Sequence, residues 1–177
     1  FTWGFGVFGS SVYLSEITRA HVWSTSIVSA AITVFFLTNA IVLPAINAGI
    51  SRFGPRYVIS GGALLLGAGI VAVGRLEELW QLFAAFACMG VGYATMSVAG
   101  LSATIAPWFE RHQGRSITLA LTGASVGAMV VVPLLVMAIA RWGFAEATML
   151  SALLVVVCML PLSLVVFRFC GPDELGL

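Results

Sequence analysis

Apolar residues along this chain neither alternate nor recur once per helical turn; they run on in long charge-free stretches. Six such runs stand out: Phe1–Leu14, Ser24–Ile46, Tyr57–Gly74, Leu79–Ala106, Ser116–Ala140 and Ala147–Phe167. A bilayer core about 30 Å thick takes about 20 helical residues at 1.5 Å each, and all but the first run come near that length. In hydrocarbon every backbone N–H and C=O must be paired within its own segment, so continuous apolar runs favour helices over a barrel of alternating strands. The pattern predicts an all-α fold: a polytopic membrane protein whose six transmembrane helices form one bundle over residues 1–177. The first run is too short to cross and opens in mid-hydrophobic sequence without Met. It is expected to be a truncated helix, in a fragment whose targeting segment lies out of sight.

Local chemistry agrees with these boundaries. Ser24 is placed to cap the second helix, Pro107 to end the fourth, and Gly143 to turn between the fifth and sixth. Pro133 and Pro161 fall inside spans, where membrane helices tolerate a kink.

Composition sharpens the class. Of 177 residues, 60% are apolar and 8% charged, against about 25% charged in a soluble domain, which excludes a soluble globule. All the basic residues are arginines. Arg52, Arg56, Arg111, Arg115 and Arg168 fall on one side of the bundle and Arg19, Arg75 and Arg141 on the other. Arginine excess marks the cytoplasmic side, so both chain ends are expected there, in a plasma or inner membrane. The net charge of +1 comes without a basic face, so no nucleic acid is expected. Cys88, Cys158 and Cys170 show no CxxC spacing or neighbouring His, and read as apolar filling with no metal or other cofactor.

Small residues are dense in the spans, at Gly61-Gly62, Gly67-Ala68-Gly69, Gly90-Val91-Gly92 and the Gly123/Gly127 pair. They suit close helix contacts. Polar side chains recur at helical spacing as well: Tyr93, Ser97, Gly100 and Thr104 in the fourth span, and Thr118, Thr122, Ser125 and Met129 in the fifth. In the first span Thr2, Gly6, Gly9 and Tyr13 share a face with Ser10 and Ser11 near it, and in the second Ser29, Thr33 and Phe36 share one with Asn39 close by. Singly, these suit interhelical hydrogen bonds. Together, four stripes point to a shared water-accessible path. None of the six runs holds Asp, Glu, Lys, Arg or His, the usual carriers of protons and counter-charge in a membrane, so charge chemistry is expected outside this chain.

Gly123-Ala124-Ser125-Val126-Gly127 fits the G-x-S-x-G pattern of a hydrolase elbow. That elbow needs a strand-to-helix turn and a nearby His. Here the motif lies inside an apolar helix, with His21 and His112 in loops on opposite sides, so an intramembrane serine hydrolase is only a remote alternative. No Asn-Pro-Ala loop of an aquaporin-type pore occurs.

The segment Asn47-Ala48-Gly49-Ile50-Ser51-Arg52-Phe53-Gly54-Pro55-Arg56 resembles the cytoplasmic loop signature of the major facilitator superfamily, G-x-L-x-D-R-x-G-R-R. Arg52, Gly54 and Arg56 match its arginine, turn glycine and final basic residue, while Ser51 and Asn47 replace its Asp and first Gly. Four features resemble the monocarboxylate transporter and oxalate/formate antiporter branch: Ser51–Arg56, Pro107–Ser116, Gly123–Gly127 followed by Pro133-Leu134, and Gly171–Leu177. This resemblance implies the amino-terminal six-helix half of a twelve-helix transporter. Departures are the lysine that animal members carry in the first helix and the fourth-helix arginine of many proton-coupled facilitators, neither of which is present.

The expected function is therefore secondary transport by alternating access, not enzymatic catalysis, with a small organic anion such as a mono- or dicarboxylate as cargo. Its partners would be the lipid bilayer, the small-molecule substrate and the absent carboxy-terminal half. Candidate path residues are Ser11, Tyr13, Asn39, Tyr93, Ser97, Thr122 and Ser125, with Arg52, Gly54 and Arg56 as a cytoplasmic latch. A non-transporting receptor or assembly subunit on the same bundle is the alternative.

Overall fold

The computed structural model describes residues 3–20, 23–105 and 113–166. Thr2, His21, Pro107, Arg111, His112, Arg168, Cys170 and the loop and tail around them, together with the side chain of Thr104, lie outside the described residues. Every regular element among the described residues is helical. Gly4–Phe8 winds as a π-helix and runs directly into α1 (Gly9–Ala20); α2 (Thr25–Phe53), α3 (Pro55–Val73), α4 (Leu79–Ala94), α5 (Val98–Ile105), α6 (Gln113–Trp142) and α7 (Phe144–Val166) follow. Among the described residues, five spans are long and apolar enough to cross a membrane: α2, α3, α4 continued through α5, α6 and α7.

The first and fourth helices differ from their expected boundaries for identifiable reasons. The first helix continues past Leu14 to Ala20, because no Gly or Pro stops it. Glu16 and Arg19 are therefore helical residues of the first segment, and the expectation that its helix carries no charge is corrected. The fourth span breaks at residues 95–97 between α4 and α5, where Thr95 and Ser97 turn their hydroxyls back onto the carbonyls of Gly92 (2.8 Å) and Ala94 (2.9 Å). Such local side-chain bonds compete with the helix ladder. Ser24 holds the N-cap position of α2 in an extended conformation, but its side chain makes no capping bond.

Tight turns lie at the two ends of the bundle. Gly54 (φ +83°) separates α2 from α3, and Gly143 (φ +91°) separates α6 from α7. Both values lie where a side chain is strained and glycine is not, so each helix can end and the next begin within one residue.

The core is assembled where α3 packs on α4 and α7, and α2 on α4. Phe35, Leu66, Ile70, Leu82, Phe86, Met89 and Val155 fill it. Small residues let these helices approach: Gly69, Gly90 and Gly92 each have a neighbouring helix where a Cβ would stand, and Gly62 has Thr95, in the break after α4. Gly61 and Gly123 have open space there, so the close-contact reading does not extend to them. Ser60 on α3 and Ser163 on α7 add a direct interhelical hydrogen bond of 2.7 Å.

Burial is uneven. Of the most apolar 18-residue windows, 61% is buried in the α4–α5 span, but only 17% in α2 and 11% in α6. Leu37 and Ile41 on α2, and Leu119, Met129 and Met137 on α6, are exposed. The bundle thus has a packed side and an open one.

Candidate functional site

On the open side, α1 lies between α2 and α6. It turns Ser11 and Ser15 outward, with Thr18 half-buried beside them, and buries Tyr13 and Ile17 on its opposite face. A cleft of about 560 Å³ runs between α1 and the start of α2, lined by Ser11, Ser15, Glu16, Thr18, Arg19 and Thr25. A second, of about 350 Å³, lies between α1 and the far end of α6, where Ser15, Glu16 and Arg19 meet Val136, Ile139 and Ala140. Glu16 and Arg19 form an ion pair at 3.9 Å. Towards the other end of α6, Arg115, Thr118 and Thr122 share an open face of that helix.

The hydroxyls on this side are bonded within their own helices. Ser11 donates to the carbonyl of Phe8 (3.0 Å), Ser15 to that of Val12 (2.8 Å), Thr18 to that of Leu14 (2.7 Å) and Thr122 to that of Thr118 (3.0 Å). Each hydroxyl oxygen keeps acceptor capacity for water or a solute. The result is a wettable stripe between two apolar flanks.

The seven expected path residues separate into three groups. Ser11, Thr122 and Ser125 lie exposed on the open side. Asn39 on α2 is half-buried, and its Oδ1 is buried without a hydrogen-bond partner. Tyr13, Tyr93 and Ser97 are buried inside the half-bundle. Tyr13 packs edge-on against Phe144 at 6.3 Å, its hydroxyl unpartnered. Tyr93 sits between Trp3, edge-on at 6.1 Å, and Phe35, tilted at 5.3 Å. Ser97 caps the start of α5 by accepting the Gly100 N–H at 3.4 Å. The sequence reading missed Ser15, Glu16, Thr18 and Arg19. The signal that could have found them was the Ser11, Ser15, Arg19 spacing of four, continued past Leu14.

At the opposite end, Arg52 closes α2 and Arg56 opens α3 on either side of Gly54, whose N–H bonds the Ile50 carbonyl at 3.0 Å. The guanidinium of Arg52 lies over Phe53 at 5.5 Å and that of Arg56 over Tyr57 at 5.9 Å. Arg56 Nε is buried without a hydrogen-bond partner. Ser51 donates to the Asn47 and Ala48 carbonyls of its own helix (3.2 and 3.0 Å), so it does not replace a carboxylate reaching across the turn.

A family model, that of the Major Facilitator Superfamily, matches residues 1–174. Among curated relatives, the MFS transporter asaE of Aspergillus flavus is 27% identical over 75% of this chain and 30% of its own length. The uncharacterized MFS-type transporter YcxA of Bacillus subtilis is 22% identical over 77% of this chain and 34% of its own. MFS-type transporter 1 of an Ophiocordyceps species is 24% identical over 94% of this chain and 36% of its own. The chain thus spans about a third of the length of the curated relatives it matches, and none of their names states a substrate.

Proposed function

Because the chain belongs to the Major Facilitator Superfamily and is an integral membrane protein, we propose that it forms one half of a secondary transporter working by alternating access, without catalysing a reaction. The observation that carries this reading is the open side of the bundle. There α2 and α6 leave apolar faces uncovered on either side of a hydroxyl-bearing α1. A second helical half closing on those flanks would seal them and leave the stripe lining a cavity, the arrangement that lets a solute bind between two rocking units.

Ser11, Thr122 and Ser125 contact solute in this reading, and Asn39 offers its free acceptor. Tyr13, Tyr93 and Ser97 support the path from behind. Arg52, Gly54 and Arg56 form a latch at the arginine-rich end, which faces the cytoplasm by arginine excess. The finer reading of the cargo as a small organic anion, a mono- or dicarboxylate, is supported by the loop signature around Gly54, by Arg19 in the cleft beside α1 and by Arg115 on the open face of α6.

The test is uptake into proteoliposomes by the full-length protein, driven by a solute gradient and checked by counterflow. Solute-dependent flux is expected. Ligand binding with no flux in either direction favours a receptor instead.

A further inference from the structure

Glu16 and Arg19 stand where the two clefts beside α1 meet, since both residues line both. Their separation of 3.9 Å is an ion pair without hydrogen-bond contact. The Arg19 side chain is 82% exposed and the Glu16 side chain 24%. A guanidinium presents five N–H donors in a planar fork, and Glu16 engages it only loosely. Among the described residues, the other side chains lining the two clefts, Leu14, Thr25, Val136 and Ile139 among them, bring hydroxyl or apolar surface and no further charge.

Resting on the transport reading above, we propose that Arg19 is a docking point for the carboxylate of a small solute and that Glu16 is its tethered competitor. A solute carboxylate can meet the fork with two parallel hydrogen bonds, which the 3.9 Å pair with Glu16 does not supply. An exposed ion pair three residues apart on one helix contributes little, so exchanging it for a bidentate contact costs little. The cleft, at about 560 Å³, falls in the size range of small-molecule sites, about 300–1,000 Å³. Ser11 and Ser15 extend the site along the stripe, towards the middle of α1.

Competition makes a prediction that a structural salt bridge does not. Removing either member of a structural pair would harm the protein in the same direction; here the two substitutions act oppositely. The full-length transporter is reconstituted, and half-saturating concentrations are measured for lactate, oxalate and succinate, with lactamide as the uncharged control. Binding of the same probes is read in parallel from the shift in melting temperature of the purified protein, so a variant impaired in transport still reports. Arg19→Gln is expected to weaken carboxylate binding about tenfold or more and Arg19→Lys less, since lysine keeps the charge but loses the fork. Glu16→Gln is expected to tighten it about two- to fivefold, the worth of the lost competing pair. The double variant should behave as Arg19→Gln, and lactamide should be indifferent to all four. Changes of equal sign in Glu16→Gln and Arg19→Gln, or carboxylate binding indifferent to both, overturn the proposal while leaving transport intact. A wild type that moves lactamide or another neutral solute and ignores carboxylates does the same.

Discussion

Gly92 on α4 presses against the backbone of Leu66 on α3: a Cβ added at Gly92 would stand 2.9 Å from the Leu66 Cα and 2.7 Å from the Gly62 carbonyl oxygen. Backbone atoms cannot swing aside as a side chain does, so the two helices would have to separate along the most heavily packed seam of the bundle. Gly92→Ala is therefore expected to destabilise by about 1–3 kcal/mol, the usual cost of overpacking. Gly61→Ala, with open space at its Cβ, should stay within about 0.5 kcal/mol of wild type. Thermal unfolding of the purified protein compares them, and equal melting temperatures would contradict the packing described.

Asn39 holds a buried acceptor with no partner, a defect that costs about 1–3 kcal/mol where it persists. Asn39→Leu removes the defect in a similar volume. On the proposed path, in which this acceptor serves solute or water, the expected outcome is a protein at least as stable as wild type with impaired transport. Unimpaired uptake in a well-folded Asn39→Leu protein would remove Asn39 from the path.

Tyr13 faces Phe144 inside the half-bundle and its hydroxyl bonds nothing. Tyr13→Phe keeps the ring contact and deletes an unsatisfied polar atom, so stability should hold or rise. Transport kinetics should be unchanged, since the ring lies on the buried face of α1. A large loss of uptake in Tyr13→Phe would return Tyr13 to the solute path.

Ser125 lies exposed in the interior of helix α6, where no strand-to-helix elbow presents its hydroxyl. A fluorophosphonate probe should label the native protein no more than the Ser125→Ala variant, and that variant should stay folded. Specific labelling lost in Ser125→Ala would revive the hydrolase alternative.

Much of the fold was legible before any coordinates. Uninterrupted apolar runs located α2, α3, α6 and α7 to within a few residues, except that α2 continues to Phe53, because the hydrocarbon requirement leaves a chain few options. Gly143 was legible as a turn for the same kind of reason: glycine tolerates its φ of +91°. The break after Ala94 was not legible. Thr95 and Ser97 are ordinary helix residues by composition, and only their hydroxyl bonds to the preceding turn reveal the interruption.

The candidate site was legible in kind but not in position. Hydroxyls at helical spacing announce a polar stripe, yet spacing does not say which side of a helix its neighbours cover. Tyr93 and Ser11 look equivalent in the sequence. Packing of α4 against α2 buries the first, while the uncovered flanks of α2 and α6 leave the second open. The sequence by itself determined the solvent this chain lives in, its helical class and its superfamily, because these follow from local composition and the loop around Gly54. Tertiary structure alone decided which polar groups face the open side and that Glu16 and Arg19 belong to the first helix beside them. Burial is a property of contacts between segments distant in sequence, and no single segment encodes it.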